Sequence, residues 1–517
     1  MRSDLRSDGL MPMGLDGYFD INILKYVERR KEMPCTTILV GKNASYDGST
    51  LMARNEDSGS GVFTPKKFIA VQPGDQPRHY RSVISGVEID LPDHPMRYTA
   101  VPNALRTEGI WGEAGVNTDN VAMTETETIT SNERVLGADP LVKKGIGEED
   151  LLTITLPYIH SAREGVERLG RLHEQYGTYE MNGIGFQDVN EIWWFESIGG
   201  HHWMAKKVPD DTYVVMPNQL GIDCLNLEDA LSDRKETMCS ADLKDFIVKN
   251  HLDLALDQDW EHFDARAAFG SHADSDHVYN TPRAWFMERY FNPRTYDWDS
   301  READYTPEAD DLPWSLVPEH KITVEDVKYA LSAHFQGTPY DPYAQYGDPA
   351  CHGMYRPIGI SRNNFLSLTQ IRPWLPEPVR ALQWMAMGSN VFNAFAPFYA
   401  NVNAVPSYLS NTTGKVSTSN FYWSNRLIAA LADASFPQCR SHIERYQNAV
   451  QTQGHRIVQE TDAAFLEGKA GEDVPSFLEK ANREVADMLK AKTQDVLGKV
   501  LYERSMQMKN GFSRSDA

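Results

Sequence analysis

The stretch from Pro34 to Asp57 constrains this chain more than any other. It reads Pro-Cys-Thr-Thr-Ile-Leu-Val-Gly-Lys-Asn-Ala-Ser-Tyr-Asp-Gly-Ser-Thr-Leu-Met-Ala-Arg-Asn-Glu-Asp. Cys35 opens a β-rich run, Asp47-Gly48 has the composition of a two-residue hairpin turn, and Ser49 to Arg54 makes a second strand-like run. Such a hairpin would hold the Cys35 thiol, the Arg54 guanidinium and the Asp57 carboxylate close together. On periodicity alone, Cys35 reads as ordinary core, because free cysteine is among the most buried residue types. A plain core strand, however, has no need of Arg54 and Asp57 beside its start.

The rest of the chain divides by pattern. Residues 1–34 are polar and mixed in charge up to Glu28-Arg29-Arg30-Lys31-Glu32, and are expected to be a leader, a propeptide or an extension ahead of a start at Met33. Strand-like runs follow at 36–40, 49–54, 68–72, 98–101 and 121–125. Leu151, Ile154, Ile159, Ala162, Val166 and Leu169 recur near helical spacing and predict a helix or helix pair over 151–176. Further strands are expected at 191–198 and 212–217, then at 367–372, 381–387 and 395–402, and a helix at 322–335. Residues 257–318 are acidic, aromatic and without regular period, and read as an insertion or lid. Residues 422–517 are rich in Ala, Leu, Glu and Lys and predict a helical C-terminal segment packed on the body of the chain at 35–421. Strands, helices and strands again predict an α+β layered sandwich.

Composition narrows the function. A formal charge of −22 disfavours nucleic acid and anionic lipid as partners, since both need concentrated Lys and Arg. No apolar run approaches the ~20 residues that span a bilayer, so no membrane partner is expected and the protein reads as cytoplasmic. Five scattered cysteines without a C-x-x-C pair argue against a disulfide framework and against a thiolate zinc site. His201-His202 and the acidic run from Asp299 to Asp311 invite a metal, but neighbouring strand residues point to opposite faces and the run lacks the EF-hand pattern, so no metal is expected. There is also no phosphate-binding G-x-x-x-x-G-K-[ST] loop and no G-x-S-x-G elbow.

The chain resembles the N-terminal-nucleophile (Ntn) hydrolase dipeptidases of the dipeptidase A and secernin type, and more distantly penicillin V acylase and bile salt hydrolase. The residues that carry the resemblance are Cys35 to Lys42, Asp47 to Thr50 and Ala53 to Asp57. Weaker echoes are Gly115-Val116-Asn117 leading into Val121 to Thr126, then Pro217-Asn218-Gln219, then Asn280-Thr281-Pro282-Arg283. It implies a four-layer αββα sandwich, extended here by C-terminal helices, and hydrolysis of dipeptides with broad specificity and no cofactor. Cys35, once N-terminal, would be the nucleophile and its own α-amino group the base, since that amine titrates at about 7.7–8.0.

The resemblance further implies that Arg54 steadies the thiolate, Asp57 holds the α-amino group, Asn117 and Asn218 donate to the oxyanion, and Arg283 is a second arginine of the site. A homo-oligomer is compatible with it. An acyl-amide hydrolase of the penicillin V acylase type and a non-catalytic secernin-like regulator are the alternatives. The acidic segment 299–311 is either a solvated loop or a site for a substrate ammonium.

Overall fold

The computed structural model describes residues 35–271 and 273–510; the leader expected at 1–34 lies outside the described residues. The strands of its two large sheets are, in chain order, β1 (Cys35–Val40), β2 (Thr50–Asp57), β3 (Ala114–Val116), β4 (Ala122–Ile129), β5 (Met181–Gln187), β6 (Ile192–Ile198), β7 (His202–Lys207), β8 (Tyr213–Met216), β9 (Thr237–Cys239), β10 (Ser315–Leu316), β11 (Asn363–Ile371), β12 (Ala381–Met387) and β13 (Ala396–Tyr399). A seven-stranded sheet has the order β10-β8-β1-β2-β11-β12-β13, and a six-stranded sheet the order β9-β7-β6-β5-β4-β3. Neighbours run antiparallel throughout both. The fold is therefore α+β, with antiparallel sheets and C-terminal helices.

Strand alternation explains how the layers meet. Ile38, Val40, Leu51 and Ala53 share one cluster with Tyr213, Leu366, Leu368 and Trp384 of the same sheet, and with Ala284, Trp285 and Met287 of the helix at Thr281–Phe291. Leu39 and Met52, on the opposite face, pack with Val116, Ala122, Trp194 and Met204 of the six-stranded sheet. That sheet's outer face carries Met123, Ile184, Phe186, Trp193 and Phe195, which cover Ala162, Val166 and Leu169 of helix α1 (Ala162–Tyr176). Helix α2 (Thr281–Phe291) and helix α3 (Val324–Ala330) lie against the other sheet. Each large apolar side chain buried in these faces contributes ~1.5–3 kcal/mol.

The C-terminal helices α4 (Phe421–Ala432), α5 (Phe436–Leu466) and α6 (Val474–Met506) close over Met385, Met387, Ala396 and Phe398 with Val450, Val485 and Leu489. The expected 151–176 helices are a short one at Leu151–Thr155 and α1.

Three local expectations change. The link between β1 and β2 is not a two-residue turn, because Val40 pairs with Leu51 and residues 41–49 form the connection. Gly41 and Asn43 donate to the carbonyls of Thr212 and Asp210, so the chain leaves its partner strand to bond elsewhere, and Gly48 bends it back at φ +83°. Strand β5 was not legible because Gly183 and Gly185 interrupt it. A Cβ on Gly183 would lie 2.4 Å from Trp194, and one on Gly185 2.7 Å from Met52 Sδ, so close approach demands glycine at both. Finally, the irregular 257–318 stretch holds a core helix, α2, and the edge strand β10.

Candidate active site

Cys35 is the first residue of β1 and is fully buried beside β2. Across the ladder it pairs with Glu56, while Arg54 pairs with Thr37. Arg54 Nη2 lies 2.6 Å from Cys35 Sγ, and Arg54 Nη1 donates to Glu113 Oε2 at 2.7 Å. Glu148 Oε1 is 3.7 Å from the same guanidinium. Burial opposes a charge on Arg54, yet the Cys35 sulfur, Glu113, Glu148 and Glu56 outweigh it and hold its pKa well above the usual value. An always-charged, planar donor is thus aimed at the sulfur.

A second set of groups reaches the same cysteine from the far side. The Cys35 amide nitrogen donates to Asn218 Oδ1 at 3.1 Å. Arg283, in the first turn of α2, donates through Nη1 to the Cys35 carbonyl and, at 2.8 Å, to Thr36 Oγ1. Its Nη2 donates to Asn218 Oδ1 at 2.8 Å and to Asn280 Oδ1 at 2.6 Å. Asn218 Oδ1 is spoken for twice over, whereas its buried Nδ2 has no partner among the described residues. A buried amide N–H2 left open beside a thiol is a costly arrangement unless something else accepts from it.

The loop carrying Asn218 is held by a carboxylate that its sequence does not advertise. Gly221 N donates to the buried Glu196 Oε1 at 2.7 Å, and Trp194 Nε1 donates to the same oxygen at 2.9 Å. Burial raises the Glu196 pKa to about 7, against the pull of these donors. Next to this loop is a cavity of about 510 Å³ bordered by Gln219, Asp223, Asp276, Thr281, Asp310 and Asp311. Asp310 also faces His277, whereas Asp299, from the same acidic run, pairs with Arg289 at the surface.

The other expected residues fall in different places. Asp57 is buried with Arg356 and Asn363 as donors to its two oxygens, one residue beyond the Glu56 that faces Cys35. Asn117 is not brought to the cysteine in this role: both of its N–H bonds are used by the Leu156 and Ile159 carbonyls, and its Oδ1 accepts from Asp119 and Val121. It closes the turn between β3 and β4, and its donors are not available to an oxyanion. His201 and His202 do not diverge, because the turn ahead of β7 lets both Nδ1 atoms reach Asp139, at 2.8 and 2.7 Å. Among the described residues, no three His, Cys, Asp or Glu side chains are grouped so as to hold a metal ion, and no helix is long and apolar enough to cross a membrane.

Sequence reasoning missed Glu113, Lys66 and Glu196, and named Asn280 only within the run that leads to Arg283. Each is a polar residue buried by tertiary packing, and neither spacing nor period marks it.

Residues 34–449 match Peptidase family C69, a match that opens one residue ahead of Cys35. The chain belongs to peptidase family C69. This C69 chain is a hydrolase that acts on peptide bonds. It is 54% identical over 533 residues to the "Dipeptidase" of Bifidobacterium longum, covering 94% of this chain and 100% of the relative. It is 43% identical to the "Probable dipeptidase B" of Lactococcus lactis, over 95% of this chain and 100% of the relative. A further relative at 43% identity is the "Dipeptidase A" of Lactobacillus helveticus, with 92% of this chain and 97% of the relative covered.

Proposed function

We propose that this C69 peptidase is a cytoplasmic cysteine dipeptidase in which Cys35, freed of residues 1–34, is nucleophile and base together. The observation that carries the reading is the convergence on one residue of Arg54 at the sulfur and of Asn218 at the nitrogen. In the mature chain that nitrogen would be an amine with Asn218 Oδ1 as its acceptor, and Asp57, held by Arg356, would supply the negative charge that keeps it in place. The two packed sheets with helices on their outer faces support an αββα sandwich. Residues 35–421 would form the catalytic unit and 422–517 its helical flank.

The steps follow from these positions. The Cys35 amine takes the thiol proton, and Arg54 steadies the thiolate. Sulfur adds to the scissile carbonyl carbon, and Asn218 Nδ2 donates to the oxyanion that forms. The amine then passes its proton to the leaving nitrogen as the C–N bond breaks, which leaves a thioester on Cys35. Water, deprotonated by the same amine, adds to that thioester; the C–S bond then breaks, the acid leaves, and the amine returns its proton to the Cys35 sulfur. The cavity bordered by Gln219 and Thr281, next to the loop that carries Asn218, would give the dipeptide a place to lie, and the dipeptidase names of three relatives support that substrate class over larger peptides.

N-terminal analysis of the active protein tests the central requirement. A mature chain beginning at Cys35 is expected; a fully active protein that keeps residues 1–34 would remove the α-amino base. Cys35→Ala should abolish turnover of every member of a dipeptide panel. Hydrolysis confined to phenoxyacetyl or bile-acid amides would instead assign the protein to acyl-amide chemistry, and a mature Cys35 terminus with no turnover of either class would favour the regulatory alternative.

A further inference from the structure

Arg54 has a second attachment that extends well beyond the reacting atoms. Glu113, which holds Arg54 through Oε2, accepts from Lys66 Nζ at its other oxygen, Oε1, at 2.9 Å. Lys66 Nζ in turn lies 2.6 Å from Glu56 Oε2. From the sulfur outward the signs alternate: thiolate, guanidinium, carboxylate, ammonium, carboxylate. All four charged side chains are fully buried. The Phe365 ring lies 5.9 Å from the Arg54 guanidinium carbon and 6.0 Å from Lys66 Nζ, an apolar cover over both cations.

A row of buried charges is an expensive way to fill space, because each ion loses its hydration and packed apolar side chains would serve stability as well or better. The backbone adds to that expense. Glu113 sits at φ +67° and Trp111 at φ +52°, left-handed conformations that non-glycine residues avoid. Glu113 is held there by an exchange with Glu125, whose side chain accepts from the Glu113 amide at 2.8 Å and whose own amide donates to the Glu113 carbonyl at 2.6 Å. Strain and burial together aim one carboxylate at Arg54 and Lys66 at once.

We propose that Lys66 is a positioning residue for the cysteine: acting through Glu113, it fixes Arg54 against the Cys35 sulfur and balances the negative charge that would otherwise oppose the thiolate. The inference rests on Cys35 being the nucleophile. Lys66 touches neither the thiol nor the substrate-facing cavity, so its effect is transmitted. The groups that face the relay from other elements are Glu148 on Arg54, Glu125 on Glu113, and Asn364 and Tyr422 on the side of Glu56 and Lys66. Burial and then Glu113 raise the Glu125 pKa well above the usual carboxylate value. Burial opposes a charged Lys66, but Glu113 and Glu56 raise its pKa above the usual value and keep it an ammonium.

The test compares kcat/KM against pH for the parent, Lys66→Met, Lys66→Arg and Glu56→Gln, all in the full chain after maturation, with a dipeptide that the parent cleaves. Without the ammonium, Glu113 faces the thiolate unopposed, while Glu56, whose pKa burial and Glu113 already raise to about 7, loses the cation that holds it down; K66M should therefore move the acid limb up by about one pH unit. That is roughly a tenfold loss on the limb, carried by kcat with KM little changed. K66R should restore most of it.

E56Q, which removes the far negative charge and leaves Lys66 on Glu113, should move the limb the other way. It also keeps the proposal testable if K66M does not fold. A K66M limb that overlays the parent's, or an E56Q limb that stays put or moves up, overturns the relay. If the parent cleaves no dipeptide, the functional reading fails, and the relay is judged instead by the pH dependence of Cys35 alkylation with iodoacetamide, where the same opposed shifts are expected.

Discussion

Asn218→Asp is the substitution that separates the proposed chemistry from mere architecture. The side chain keeps its shape and keeps an Oδ1 able to accept from Cys35 N and Arg283 Nη2, which lie 3.1 and 2.8 Å away. What it loses is Nδ2, the buried donor without a partner among the described residues. If that donor meets the oxyanion, its loss should lower kcat by about 10²–10³, or ~2.7–4 kcal/mol of transition-state stabilisation. KM should change little, because the donor gains its strongest acceptor only as the carbonyl becomes tetrahedral. Folding should be close to that of the parent, since both ground-state bonds to Oδ1 survive and the added charge faces Arg283.

The assay is steady-state hydrolysis of one dipeptide by parent and variant, with thermal unfolding run alongside. Asn218→Ala serves as contrast: it removes the acceptor as well, leaves the Cys35 N–H buried and unpaired, and should cost a further ~1–3 kcal/mol in stability. An Asn218→Asp enzyme with kcat within threefold of the parent's would refute the oxyanion role and leave Asn218 as a positioning side chain only.

Other outcomes follow from single contacts. Lys328 is buried with only neutral acceptors, Ser332 Oγ, the Asn390 carbonyl and Asn393 Oδ1, and burial lowers its pKa to about 7. Between that value and the unfolded value of about 10.4 the unfolded chain binds a proton that the folded chain lacks, so this group makes stability rise with pH across that window. Denaturant titrations from pH 6 to 10 should show the parent gaining on Lys328→Met as pH rises, and a constant difference would contradict it. Gly183→Ala places a methyl 2.4 Å from the buried Trp194 ring and should lower stability by ~1–3 kcal/mol in chemical denaturation. Because every proposed step uses groups of the protein and water, prolonged dialysis against a chelator should leave the dipeptidase rate of the mature enzyme intact.

Much of the site could be read locally. The Cys35 run and the Arg54-x-x-Asp57 spacing belong to adjacent strands, and adjacent strands keep their neighbours in register, so the thiol and guanidinium were placed together correctly. Asn218 and Arg283 were nameable by resemblance to a family but not by any pattern of their own. They reach Cys35 across 183 and 248 residues of chain. Asn117 shows the limit of carrying a residue over by position, because a side chain with two donors can spend both on nearby carbonyls and still occupy the expected place in the chain. Glycines misled in the opposite direction: Gly183 and Gly185 weaken a strand's signature, yet the packing of Trp194 and Met52 requires them.

The sequence by itself determined which segments alternate, which wind into helices, and which short stretch brings a thiol and an arginine side by side. Those properties are local, since propensity and periodicity act over a few residues and record only whether a side chain faces inward or outward. Tertiary structure alone decided the partners of the buried charges. Lys66, Glu113 and Glu56 meet because two cations and their carboxylates, once removed from water, are stable only where they neutralise one another in three dimensions. No spacing in the chain records that condition, and the environment of the Cys35 sulfur depends on it.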